Sequence, residues 1–182
     1  CIQGTQDVFA EVAGLGAVTT TPEGETLTTI SNACAFCQLI LSSPSGRQAC
    51  TESWRHLAHK PEHRTPFVSC HAGLQYARAR IEIEGNFAAM LVAGQFHAQV
   101  PAPAEEAERI KALAEKHGLE AEALAEAARD LPVLSARHRD RIGAWLETVA
   151  QTFESIGHER ADLTRRLQRI AEMSAIPAPR TF

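Results

Sequence analysis

Four of the five cysteines fall in one stretch of the sequence, and they are the side chains best suited to chemistry. They are Cys34, Cys37, Cys50 and Cys70, and His71 follows the last of them. Cys34 and Cys37 are three residues apart on a predicted helix, so both thiols leave the same face. Thiolates suit zinc and iron–sulfur clusters, and the spacing does not separate the two. Reduced cysteines also pack as small buried hydrophobic residues, so a metal site and a thiol-lined core both remain open.

A cysteine beside a histidine also raises the question of a nucleophile with its base. Cys70 and His71 fall at the end of a predicted strand, where neighbouring side chains point to opposite faces. No acidic residue is placed as the third member of a triad. We therefore expect no enzymatic activity.

The elements that position these residues follow from the hydrophobic pattern. Apolar and charged residues alternate over 77–84, which predicts a strand with one solvated face and places Arg78 and Arg80 in solvent. Residues 87–95 are apolar throughout, which is typical of a central strand. Residues 15–21 and 25–29 are predicted to form a hairpin. Helices are predicted over 6–13, 33–41, 46–57, 105–117 and 120–129 and from residue 135 onward, so we expect an α+β fold with one antiparallel sheet.

The last predicted helix carries apolar residues at spacings of three and four. They are Ile142, Trp145, Val149, Phe153, Ile156, Leu163, Leu167 and Ile170. This heptad pattern predicts a parallel homodimer through residues 142–170, with the helix as the output of the domain. In the alternative interpretation, residues 142–156 pack on the chain's own sheet. Gly157 and Arg160 interrupt the pattern and are expected to loosen the coil.

The bulk composition narrows the class of protein. The chain has 182 residues, 45% of them hydrophobic, and a net charge of −4. That charge argues against nucleic-acid binding by this segment, because neutralising phosphates needs a basic face. No apolar run approaches the ~18 residues that a membrane helix requires. The odd cysteine count and the lack of a signal segment favour a cytoplasmic protein with reduced thiols. The opening CIQG has no initiator methionine, so we expect that the chain was cut from a larger protein.

Several sequence blocks carry a family resemblance. The most specific block is CHAGL at residues 70–74. The other blocks are Phe36-Cys37, the SSPSGRQAC run that ends at Cys50, and the EGNFAAMLVAGQ segment that ends at Gln95. Together with the opening QDVFAEVAGLGAVTTTPEGE, these blocks resemble the signature of PocR-type sensory domains over residues 3–155. The resemblance implies a PAS-like antiparallel sheet flanked by helices that senses small hydrocarbon derivatives such as diols, ahead of an effector module.

The resemblance also bears on the site. Cys37, Cys50 and Cys70 match the family's cysteines, whereas Cys34 lies where no family cysteine is expected. Gln75-Tyr76 stands where many members have Asp-Phe, which leaves the ligand open. We expect the three matching cysteines to converge with Cys34 beside them.

The expected ligand pocket lies between the sheet and the helices of residues 33–60. His71, Tyr76 and Gln95 are its expected polar contacts, and Trp54 is a further candidate, although a helical tryptophan more often packs in a core. A polar side chain such as Gln95 at the end of an apolar strand needs a partner.

These expectations combine into a domain organisation and a function. Residues 1–155 form the sensory domain, 156–176 a coiled-coil signalling helix and 177–182 a tail. The domain is expected to bind a small molecule and relay the signal through the coiled coil to an effector. The alternative is a redox or gas sensor whose cysteines hold an iron–sulfur cluster or zinc.

Overall fold

The computed structural model describes residues 2–60 and 67–174. The helices and strands follow in the order α1 (Ile2–Ala13), β1 (Gly16–Thr20), α2 (Ala35–Ser42), α3 (Pro44–Ala58), β2 (Val68–Ser69), β3 (Gln75–Ile83), β4 (Asn86–Phe96), α4 (Pro103–His117), α5 (Ala121–Ala128) and α6 (Ala136–Ser174). Within these residues the strands form one antiparallel sheet in the order β1-β4-β3-β2. The α+β class and the long C-terminal helix are confirmed. The arrangement is consistent with a PAS-like fold.

The apolar strand predicted over 87–95 is the central strand β4, which pairs with β1 on one side and β3 on the other. Both faces of β4 are buried, which explains why its sequence does not alternate. One face packs against α1 and α6. On it the sheet presents mostly alanines, namely Ala17, Ala77, Ala79, Ala89 and Ala93. Small side chains let the two helices lie close to the sheet.

The expectation that β3 has one solvated face is wrong, because α3 covers the second face. Arg78 is only 2% exposed. Its Nε donates to the Leu57 carbonyl at 2.8 Å, and its Nη2 donates to the Lys60 carbonyl at 2.6 Å. A guanidinium can be buried here because it meets carbonyls at the C-terminal end of a helix, where a cation is favoured. Arg80 remains partly exposed, with its guanidinium 4.2 Å from the centre of the Phe87 ring.

The predicted hairpin after β1 is also wrong, because residues 25–29 form no strand. They pair with β1 through an isolated bridge between Thr20 and Thr26, and not through a continuous ladder. The fully buried Gln6 of α1 takes the place of a regular ladder. Its Nε2 donates to the backbone carbonyls of Thr29 and Ala17, at 2.9 and 3.2 Å, so a helix side chain bridges the two segments.

Helix α6 divides into a buried and an exposed part. Its first half packs on the chain's own sheet through Ile142, Leu146, Ala150 and Phe153. Ile142 and Phe153 are therefore unavailable to a second chain. The prediction that the coiled coil uses all the apolar residues of 142–170 is wrong for these two. The apolar residues further along are exposed, and they are Leu163, Leu167, Ile170 and Met173.

Gly157 lies where α6 crosses the end of β3. A Cβ atom at this position would come within 2.4 Å of Ile83 Cδ1. The glycine thus permits a close crossing, in addition to weakening the helix as expected from the sequence. No helix among the described residues is long and apolar enough to cross a membrane.

We predict that Arg78→Met lowers the free energy of unfolding by about 3 kcal/mol, because two buried carbonyls lose a charged donor. The matched control is Arg137→Met, since Arg137 is exposed on α6, and it should change stability by less than about 0.5 kcal/mol. Urea denaturation of both variants makes the comparison. Equal effects would contradict the structural role of Arg78.

Candidate functional site

A cavity lies between the sheet and helices α2 and α3, at the position expected from the sequence. The space inside it that the centre of a water molecule can reach has a volume of about 70 Å³. Since one water needs about 10–15 Å³ on this measure, the cavity has room for roughly five water-sized groups. The expected site residues that line it are Cys37, Cys50, Trp54, Cys70, His71, Tyr76 and Gln95.

Gln95 ends the central strand in a strained conformation. Its φ is +82°, a region that residues with a side chain rarely adopt. A Cβ atom at Gly16 on the neighbouring strand would come within 2.3 Å of the Gln95 Cδ, so glycine is what leaves room for this side chain. Gln95 Oε1 accepts a hydrogen bond of 2.8 Å from the Cys34 backbone N–H, at the start of α2. Strain of this kind is often found at functional sites.

The segment from Cys70 to Leu74 is a tight turn and not the end of a strand. The Cys70 N–H donates to the Leu74 carbonyl at 2.8 Å, and the Gly73 N–H donates to the Cys70 carbonyl at 2.9 Å. Strand β2 ends earlier, at Ser69. The rule that neighbours on a strand face opposite ways therefore does not apply, and both Cys70 and His71 line the cavity.

The four thiols lie close together, since Cys34, Cys50 and Cys70 all raise the pKa of Cys37. Cys50 Sγ lies 3.3 Å from His71 Nε2, while Cys34 and Cys37 share a hydrogen bond. Burial raises the pKa of Cys50 to about 12 and lowers the pKa of His71 to about 4. The Cys50–His71 pair is therefore a neutral thiol beside a neutral imidazole.

The expected metal site does not gain support from this geometry. Within residues 2–60 and 67–174, no group of three or more Cys, His, Asp or Glu side chains is arranged to hold a metal ion. Cys50 is paired with His71, and Cys34 with Cys37. A zinc or iron–sulfur site at Cys34, Cys37, Cys50 and Cys70 therefore stays a prediction of the sequence.

The polar groups of the cavity differ in their availability. The Tyr76 hydroxyl donates to the Ser53 carbonyl at 2.8 Å, which fixes it to α3. His71 Nδ1 is buried without a hydrogen-bond partner among the described residues. A buried nitrogen without a partner costs about 1–3 kcal/mol, and a bound molecule could satisfy it. Trp54 contributes an apolar wall.

Sequence reasoning missed two residues of this site. Ser53 lines the cavity, and its Oγ accepts from the His71 N–H at 3.3 Å. His117, from α4, places its ring 5.6 Å from that of His71, edge to face, and its Nδ1 lies 3.1 Å from the Ser45 Oγ. The available signal was spacing, because His117 follows Ile110 by seven residues and Ala114 by three and so falls on the apolar face of the helix.

A comparison with known protein families identifies the domain. A family model described as the sensory domain found in PocR matches residues 1–158. The chain belongs to the PocR sensory-domain family. No curated protein and no solved structure matched the chain.

Membership in the PocR family confirms the resemblance carried by the CHAGL block and its companions. It makes this chain a sensory domain of signal transduction. The three cysteines that resemble the family's own all line the cavity. Cys34, which does not, lies beside Cys37 at the start of α2.

We predict a stability loss in mild acid that depends on His71. Since the folded pKa is about 4 and the unfolded value about 6.5, the unfolded chain binds more protons between these values. Stability therefore falls as the pH drops through this window, by about 1 kcal/mol between pH 7 and 5 after discounting for solvent screening.

Urea denaturation at several pH values tests this prediction. His71→Gln should flatten the slope of unfolding free energy against pH, whereas His56→Gln should leave it unchanged, because His56 is exposed. An unchanged slope in His71→Gln would contradict it.

Proposed function

We propose that this PocR-family domain binds a small, mostly apolar molecule with one or two hydroxyl or carbonyl groups, and that α6 relays the occupancy of the cavity to an effector. The observation that carries the proposal is the mostly apolar cavity with two polar groups at its edge. These are the unpartnered His71 Nδ1 and the strained Gln95. A pocket with apolar walls and few polar groups is typical of small-molecule sites.

The state of Cys50 and Cys70, the two thiols nearest to His71 in sequence or contact, supports binding rather than catalysis. A cysteine nucleophile is a thiolate, usually beside an imidazolium. Burial raises the pKa values of Cys50 and Cys70, so both are protonated thiols. His71 is neutral, because burial lowers its pKa. Reduced thiols also suit the cytoplasm, where we place the domain.

A path for the signal leads from the cavity to α6. β4 contributes Val92 to the cavity on one face and Leu91 to the core under α6 on the other. Further along, the Glu154 carboxylate of α6 accepts from the Glu82 backbone N–H of β3 at 2.8 Å. A shift of the sheet on ligand binding would therefore act directly on α6.

We propose that the exposed half of α6 packs against the same helix of a second copy of this chain. Ile156, Leu163 and Ile170 are spaced by seven residues, and Leu167 adds to the same stripe. Leu163, Leu167 and Ile170 are 57%, 58% and 54% exposed in the single chain. Burying such side chains contributes up to ~1.5–3 kcal/mol each, which is enough to favour a parallel homodimer. We place the sensory domain at residues 1–155 and the coil at 156–176.

We predict that calorimetry with ethane-1,2-diol, propane-1,2-diol and propanal finds saturable binding of at least one of them. His71→Ala and Gln95→Ala should each weaken that binding about tenfold or more, because each removes a hydrogen bond worth about 1–3 kcal/mol.

The matched control is Gln48→Ala. Gln48 is exposed and bonds only to Glu52 in its own helix, so its replacement should leave the affinity unchanged. Binding that survives both cavity substitutions, or no binding of any compound in the panel, would contradict the proposed site.

We predict that the wild-type chain sediments as a dimer at micromolar concentration. Replacing Leu163, Leu167 and Ile170 together with serine should give a monomer, because the apolar stripe is lost. The control replaces Arg169 and Glu172 with serine on other faces of the helix and should remain dimeric. A monomeric wild-type chain would contradict the coiled-coil output.

A further inference from the structure

We propose that Cys34 and Cys37 form a redox-active dithiol that closes to a disulfide and thereby reshapes the wall of the ligand cavity. Cys34 occupies the N-cap position of α2, and Cys37 lies in the first turn of that helix. The two thiols contact each other through a hydrogen bond. This is a Cys-x-x-Cys pair at the start of a helix, an arrangement suited to thiol–disulfide exchange.

The two thiols have different acidities. The hydrogen bond from Cys37 lowers the pKa of Cys34 to about 7, while the same bond raises the pKa of Cys37 well above its usual value. Cys34 is the attacking thiol and Cys37 the resolving thiol, because Cys34 occupies the N-cap position of α2, where the end of a helix favours a thiolate. Burial raises the pKa values of Cys50 and Cys70, which sets them apart from Cys34.

The oxidant is a low-molecular-weight disulfide. The Cys34 thiolate attacks one of its sulfur atoms, the S–S bond breaks, and one small thiolate leaves and takes up a proton. Cys37 then loses its proton and its sulfur attacks Cys34 Sγ, releasing the second small thiol. Two protein thiols lose two electrons and two protons, and the small disulfide gains both.

Closing this bond must move the start of α2. A disulfide holds its two sulfur atoms about 2.05 Å apart, much closer than two hydrogen-bonded thiols, so Cys34 and Cys37 must move towards each other. Phe36, between the two cysteines, is fully buried, with the Arg109 guanidinium 5.2 Å from the centre of its ring. The adjustment therefore falls on Cys34 and Cys37 themselves. Cys37 lines the cavity, and the Cys34 N–H holds Gln95, so both features of the cavity change.

The first test uses oxidised glutathione on the whole chain in a Cys1→Ser background. We expect the loss of two free thiols per chain. Chymotryptic cleavage after Phe36 separates the two cysteines, so a bridge leaves their peptides linked until dithiothreitol is added. Cys37→Ser should trap glutathione on Cys34, while Cys50→Ser and Cys70→Ser should still form the link.

Three outcomes overturn the dithiol. The first is the absence of any linked peptide, and the second is a bridge between another pair, such as Cys50 and Cys70. The third is a reversed trapping pattern, in which Cys34→Ser accumulates glutathione on Cys37 while Cys37→Ser accumulates none on Cys34.

The second test follows the cavity without any ligand, and so does not depend on the proposed function. Trp54 lines the cavity, and the chain has two tryptophans. In Trp145→Phe, oxidation should change the Trp54 emission, reversibly with dithiothreitol, and Cys34→Ser should abolish the change. A disulfide that forms without altering this emission would overturn the effect on the cavity.

Discussion

The hydrogen bond from the Cys34 backbone N–H to the Gln95 side chain joins residues 61 positions apart and holds the cavity together. It ties the first turn of α2 to the end of the central strand. For this bond to form, Gln95 adopts a positive φ, and Gly16 leaves space for its side chain. Backbone strain of this kind costs about 1–3 kcal/mol and persists only where the surroundings enforce it. The strain therefore lies at the point where the cavity, the Cys34–Cys37 pair and the sheet meet.

The same strand links that point to α6, the proposed output helix. Because both faces of β4 are buried, a movement of its end would change the shape of the cavity on one side and the packing of α6 on the other. The alanines beneath α1 and α6 bring these helices close to the sheet. Tight packing transmits small shifts, since a close-packed interior has little free volume to absorb them. α6 then carries its exposed stripe beyond the sheet.

The sequence predicted the elements whose signal is local. The long apolar run identified β4, and the polar Gln95 at its end marked the site. Arg78 was placed in solvent because alternation along a strand does not reveal whether a helix covers the polar face. The positive φ of Gln95 depends on contacts with Gly16 and Cys34, which are distant in sequence. The partner of each thiol, such as His71 for Cys50, is likewise a matter of tertiary geometry.

Hydrogen–deuterium exchange, with and without a saturating amount of the diol that binds most tightly, tests most directly whether the cavity controls α6. We expect slower exchange in residues 70–76 and 94–97, which border the cavity, together with altered exchange in the first half of α6, from residue 136 to 157. Slower exchange at the cavity with no change in α6 would contradict the relay. Unchanged exchange at residues 70–76 and 94–97 would contradict the ligand site itself.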